Sequence, residues 1–174
     1  MKRDGGMSLL EVMVVIAIIV ILATVSLSGL TGIVGYERLK GFAMDMVAAM
    51  NNARFVARKE GERVCLVIST GEPQNWIDKK MLYFSFIDAN KNSKYDTGEK
   101  KLAEGYFRGI KVVENDIGKT CVNFENAKCL YFFPVGTPLI GNSDRKIKLK
   151  LKNSCYCIKV YRNVGLMDAY ACDC

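Results

Sequence analysis

The sequence predicts an α+β protein, with one long N-terminal α-helix packed on a small, mainly antiparallel β-sheet head. Three observations carry that expectation. No charged side chain occurs from position 12 to position 36, a helical apolar stripe continues to about position 60, and short strand-like segments follow one another closely after Gly61.

The charge-free run begins Val12-Met13-Val14-Val15-Ile16-Ala17-Ile18-Ile19-Val20-Ile21-Leu22. At about 1.5 Å per residue, some 18 or more apolar residues can cross a bilayer as a helix. Beyond it, Leu39, Phe42, Ala43, Met46, Met50, Ala53, Val56 and Ala57 recur at three- and four-residue steps, while Glu37, Lys40, Asp45, Asn52 and Lys59 fall largely between them. Such spacing lays one apolar face along a helix. Gly61 is a suitable stop. A helix from Ser8 to about Glu60 would be about 80 Å long, far more than a small globular domain needs.

After Gly61, positions 63–69, 81–87, 106–114, 120–124, 130–133, 146–151, 156–162 and 166–171 read as strands. They are rich in Val, Ile, Tyr and Phe, with Gly, Asn, Asp and Pro between them. In Lys146-Ile147-Lys148-Leu149-Lys150-Leu151-Lys152 the alternation is clean, with the apolar side chains facing in and the lysines facing out.

At 174 residues the chain is one domain on a stalk. Its net charge of +7 permits contact with nucleic acid or acidic surfaces without showing either. There is no histidine, which removes the usual general base and the commonest metal ligand. No nucleophile motif and no phosphate-cradling glycine loop occurs, so an enzyme is not expected. Seven cysteines in so short a chain argue for an oxidising compartment.

The head of the apolar run carries a further signal. It reads Lys2-Arg3-Asp4-Gly5-Gly6-Met7-Ser8-Leu9-Leu10-Glu11, a lone carboxylate following a glycine pair. A charge entering hydrocarbon unpaired costs a few kcal/mol, about 2.5–3.5 on insertion scales, so Glu11 needs a partner. An ordinary secretory signal has its small cleavage residues after the apolar stretch, whereas here they precede it. The arrangement resembles the leader of type IV pilins and type II secretion pseudopilins. The resemblance implies that a prepilin peptidase cuts after Gly6 and that Met7 becomes the N-methylated first residue. It also implies that Glu11 pairs with the amino terminus of a neighbouring subunit during filament assembly. The parts are then a cleaved leader (1–6), a transmembrane and assembly helix (7–36), and an amphipathic half-helix with the head (37–174). Lys2 and Arg3 would hold the leader inside, giving a single-pass bacterial inner-membrane protein with a periplasmic head. Its partners would be other subunits and the peptidase. Met7-Ser8-Leu9-Leu10 departs from the commoner Phe-Thr-Leu-Ile of that family.

The head narrows the resemblance to minor pilins of the GspH/FimT type. Phe86-Ile87-Asp88-Ala89-Asn90-Lys91-Asn92-Ser93-Lys94-Tyr95-Asp96-Thr97-Gly98-Glu99 resembles one of their loops, as do Phe132-Phe133-Pro134-Val135-Gly136-Thr137 and the closing hairpin at Val160-Tyr161-Arg162-Asn163-Val164-Gly165. Some of these relatives capture DNA through a Gly-Arg-x-Arg stretch, which here reads Gly165-Leu166-Met167-Asp168. Both arginines are missing, so that role does not carry over. The cluster Arg145, Lys146, Lys148, Lys150 and Lys152 leaves salt-sensitive DNA binding as an alternative to a structural role.

Two constellations remain. Asp88, Asn90, Asn92, Asp96 and Glu99 fall at positions 1, 3, 5, 9 and 12 of a loop, the ligand spacing of a calcium-binding EF-hand. Position 6, normally glycine, is Ser93, the flanks read as strands, and Lys91 and Lys94 offset two of the negative charges. These features favour a plain surface turn, and no cofactor is expected beyond this one calcium candidate. The second constellation is Cys155-Tyr156-Cys157 and Cys172-Asp173-Cys174, on the two arms of one expected hairpin. If opposed positions sum to 329, Cys157 faces Cys172 and Cys155 faces Cys174, all on one sheet face. Disulfides are favoured over a four-thiolate zinc site, whose usual knuckle is Cys-x-x-Cys. Cys121 with Cys129 would be a third pair, leaving Cys65 without a partner.

Overall fold

The computed structural model describes residues 8–77, 79–121, 123–135, 144–161 and 166–174, and not the side chains of 25–33 and 119. The expected cut between Gly6 and Met7, the basic leader and the hairpin tip at 162–165 lie outside the described residues.

Helix α1 runs Leu9–Glu60. It contributes to both compact units of the chain, Met1–Gly35 and Tyr36–Cys174. In the first unit every described helical side chain from Leu9 to Thr24 is exposed. Among the described residues no helix is long and apolar enough to cross a membrane. Of the charge-free run expected to do so, the side chains of 25–33 lie outside the described residues.

In the second unit α1 presents Leu39, Phe42, Ala43, Met46, Ala49, Met50, Ala53 and Ala57 to the core, all buried. Small residues alternate with large ones on this stripe, which lets the sheets approach closely. Gly61 ends the helix in the left-handed region, at φ 69°. That conformation suits a residue without a Cβ.

Among the described residues eleven strands follow: β1 Val64–Ser69, β2 Gln74–Trp76, β3 Lys79–Met81, β4 Tyr83–Ile87, β5 Lys101–Gly105, β6 Ile110–Asn115, β7 Lys119–Thr120, β8 Ala127–Phe132, β9 Arg145–Leu151, β10 Ser154–Val160 and β11 Met167–Ala171. They form a five-stranded sheet in the order β5-β4-β1-β8-β7, a four-stranded sheet in the order β11-β10-β9-β6, and the hairpin β2-β3. All the strand pairs described are antiparallel.

Both larger sheets join α1 in one core. Val64, Leu66 and Ile68 of β1, Leu130 and Phe132 of β8, Ile147 and Leu149 of β9, and Tyr156, Ile158 and Val160 of β10 pack with the helical stripe. The far face of β1 and β4 is also covered, so β1 is buried along its whole length. There Cys65, Val67, Phe84 and Phe86 meet Trp76, Cys121, Cys129 and Phe124.

Several strands differ from the sequence expectation. The strand expected over 106–114 begins only at Ile110, because Gly109 turns the chain at φ 86°. That expected over 120–124 shrinks to β7, after which the chain enters the loop closed by Cys121 and Cys129. β5 was not expected. Its Lys-Leu-Ala-Glu-Gly is poor in strand formers, and it is held as an edge strand by β4.

Candidate functional site

The N-terminal site is built by the first turn of α1. The Ser8 Oγ accepts the Leu10 N–H at 3.4 Å, and the Ser8 carbonyl accepts the Glu11 and Val12 N–H groups at 3.0 and 3.2 Å. Ser8 is therefore the N-cap and Glu11 stands three positions on, the spacing of a capping box. The sequence carries that signal as Ser-x-x-Glu before an apolar run. A carboxylate also suits the positive end of a helix. Behind it Leu9, Leu10, Met13, Ile16, Ile19, Ile21 and Leu22 are exposed, several above 60%. Such a continuous apolar surface has no stable place in water and marks an interaction surface.

In the head the structure forms all three candidate disulfides. Cys121 bonds Cys129, Cys155 bonds Cys174 and Cys157 bonds Cys172, with Cα separations of 5.2, 5.3 and 5.8 Å. Cys65 is a free, buried thiol. Burial raises its pKa strongly, with Asp88 as the next cause, so it stays protonated. The hairpin register differs from the expected one. Tyr156 pairs with Ala171 and Cys157 with Tyr170, so opposed positions sum to 327 rather than 329. Because the shift is two residues, each cysteine keeps its face.

The lysine strand β9 lies between β6 and β10. Ile147 and Leu149 are buried and its lysines face outward. Three cations of this surface sit in ion pairs: Lys146 with Glu114 at 3.1 Å, Lys159 with Asp144 at 3.2 Å, and Lys111 with Glu72 at 3.6 Å. Asp168, which the resemblance would have as arginine, is exposed and lies opposite Lys159.

The 88–99 loop joins β4 to β5. Asp88 is wholly buried and forms an ion pair with Arg63, which also lies 5.0 Å from the Tyr131 ring. Asp96 accepts hydrogen bonds from the side-chain amides of Asn90 and Asn92 at 2.7 and 2.6 Å, which lower its pKa. Among the described residues no three acidic, cysteine or histidine side chains gather closely enough to hold a metal by themselves.

Residues 1–27 match the prokaryotic N-terminal methylation motif. The matched stretch takes in the first turns of α1, whose later half packs on antiparallel sheets. In fold the chain is similar to the minor pseudopilin EpsH from the type 2 secretion system of Vibrio cholerae, at 11% identity and a TM-score of 0.45, over 76% of this chain and 96% of that one. No curated protein matches it in sequence.

Proposed function

We propose that the protein is a structural minor pilin or pseudopilin subunit of the GspH/FimT type. It is inserted in the inner membrane with its head on the periplasmic side and assembled into a filament through the N-terminal half of α1. The observation that carries this reading is Glu11. It is a lone acid in the first turn of a helix whose next described residues are uncharged and exposed, inside the stretch that matches the methylation motif. Inside a bundle of apolar helices an unpaired carboxylate would be penalised by several kcal/mol. Pairing with the amine of Met7 on a neighbouring subunit would neutralise both charges and set the axial register. Contacts of this head-to-tail kind generate an open helical filament rather than a closed ring.

Mass spectrometry of protein from a host with an active prepilin peptidase tests the reading. The expected product begins at Met7 and carries one added methyl group. Recovery of the intact leader would overturn it. A DNA-capturing role is the second reading, and the density of lysines on β9 is what supports it. The ion pairs that engage neighbouring lysines, and the exposed Asp168, favour the structural role.

A further inference from the structure

The two ends of the 88–99 loop each hold a carboxylate oxygen with nothing to bind. Asp88, with 0% of its side chain exposed, uses only Oδ2, which accepts the Ser93 N–H at 3.1 Å and pairs with Arg63. Its Oδ1 is buried without a partner. Glu99 repeats the pattern: Oε2 accepts the Asp96 N–H at 3.0 Å and Oε1 is buried and unpartnered. A buried, unsatisfied acceptor is costly, more so when charged, and native structures rarely keep one without a reason. Here two occur in one loop, at its first and twelfth positions.

Between them two side-chain amide oxygens bond to backbone N–H groups of the same loop. Asn90 Oδ1 accepts the Asn92 N–H at 3.1 Å, and Asn92 Oδ1 accepts the Lys94 N–H at 2.7 Å. Each such oxygen keeps a second lone pair. Both amides also reach Asp96. Lys91 and Ser93 take left-handed φ values of 59° and 64°, so Ser93 adopts the conformation for which position 6 usually needs glycine.

We propose that this loop is a calcium site, with Asp88 Oδ1 and Glu99 Oε1 as its anchoring oxygens and Asn90, Asn92, Asp96 and the Lys94 carbonyl completing it. The donor set is all oxygen, mixing carboxylate, amide and carbonyl, which suits a hard ion of flexible coordination and not zinc. Three carboxylates, Asp88, Asp96 and Glu99, supply the negative charge, and Arg63, Lys91 and Lys94 offset much of it. The three carboxylates do not gather closely enough in the unliganded loop, so binding has to draw the loop in around the ion. Affinity in the range of about 0.1–1 mM, typical of extracellular modules, follows from that modest charge.

The test uses the full chain in detergent. About 5 mM calcium, against a chelator, should raise the melting temperature by about 3–6 °C, because an ion bound only to the native state stabilises it. Terbium, added as a calcium substitute, should luminesce on excitation of tyrosine, since Tyr95 lies within the loop with its ring edge-on to Phe86 at 5.4 Å. Glu99→Gln should abolish both signals. Asn92→Ala, which leaves the Arg63–Asp88 pair untouched, should weaken both. Equal melting temperatures with calcium and chelator, with no terbium signal, would overturn the site, as would a calcium response that survives both substitutions.

Discussion

Cys157 lies opposite Tyr170 in the β10–β11 ladder, yet its sulfur is bonded to Cys172, two positions further on. Diagonal neighbours in such a ladder normally stand about 7–8 Å apart. The chain leaves the ladder after Ala171, and the Cα atoms of Cys157 and Cys172 come to 5.8 Å. Cys155 and Cys174 repeat the arrangement at 5.3 Å. The C-terminal tripeptide is thus stapled over the outer face of β10, where Cys155 and Cys157 are buried opposite the core-facing Tyr156 and Ile158.

The first prediction follows from that staple. Non-reducing peptide mapping should find Cys155 with Cys174, Cys157 with Cys172 and Cys121 with Cys129, and should alkylate Cys65 only after unfolding. Replacing Cys157 and Cys172 by serine removes a crosslink spanning 15 positions, which should cost about 2–4 kcal/mol by urea titration. A Cys155–Cys172 bond would instead mean that the ladder runs on in the same register beyond Ala171.

How far the sequence reveals this follows from periodicity. A two-residue hairpin slip leaves side-chain parity intact, so the pairing of cysteines was legible while the register was not. The helical face was legible because Leu39, Phe42, Met46 and Met50 each bury large side chains at regular spacing. β5 was not, since its pairing with β4 is tertiary and its composition is not that of a strand. In the 88–99 loop, spacing identified the donors. Composition pointed to a plain turn, and only the buried oxygens without partners weigh against it.

The second prediction separates two roles for Glu11. As a capping-box residue it can be replaced by glutamine, which serves the same N–H. As the partner of a neighbouring amine it cannot, because glutamine carries no charge. Glu11→Gln should therefore leave processing and helix content unchanged and abolish incorporation into filaments. Wild-type incorporation of the glutamine variant would reduce Glu11 to a cap.

A third prediction concerns alkaline pH. Burial, and then the charge of Asp45, push the Tyr83 pKa from its ordinary 10.0 up to about 12. Between those values the folded state holds a proton that the unfolded chain has released, so stability must fall as pH rises through this window. Each pKa unit corresponds to about 1.4 kcal/mol, so the loss from Tyr83 approaches about 3 kcal/mol by pH 12. Urea midpoints measured from pH 9 to 12 should decline, and Tyr83→Phe should make the decline visibly shallower. Parallel curves for the two proteins would refute the assignment.

The fourth prediction tests a close approach. Gly118 has φ 73°, and a Cβ there would collide with the backbone carbonyl of Cys129 on β8. The obstacle is backbone and cannot swing aside, so Gly118→Ala should cost about 1–3 kcal/mol or more. At Gly71 an added Cβ would meet nothing, and Gly71→Ala should lie within about 0.5 kcal/mol of the parent. Equal effects at the two positions would show that the approach of β8 to Gly118 is looser than described.

The last prediction asks what the lysines of β9 are for. Lys146 lies opposite Lys159, and Lys150 opposite Lys111. Like charges directly opposed across strands are destabilising. Here Glu114, Asp144 and Glu72 compensate by pairing with Lys146, Lys159 and Lys111. A surface selected to hold a polyanion would leave those cations for phosphates, and each phosphate contact adds about −0.9 to the log–log salt slope for duplex DNA, or about −0.7 for single strands. Replacing Lys148, Lys150 and Lys152 by glutamine would then flatten the slope by about two to three units. A structural face predicts otherwise: weak DNA binding at physiological salt, and filament incorporation unaltered by the triple substitution. Fluorescence titration of the full chain with duplex and single-stranded DNA across salt concentrations separates the two. Sub-micromolar binding at physiological salt, with a steep salt slope that the substitutions flatten, would establish the DNA role against the exposed Asp168 opposite Lys159.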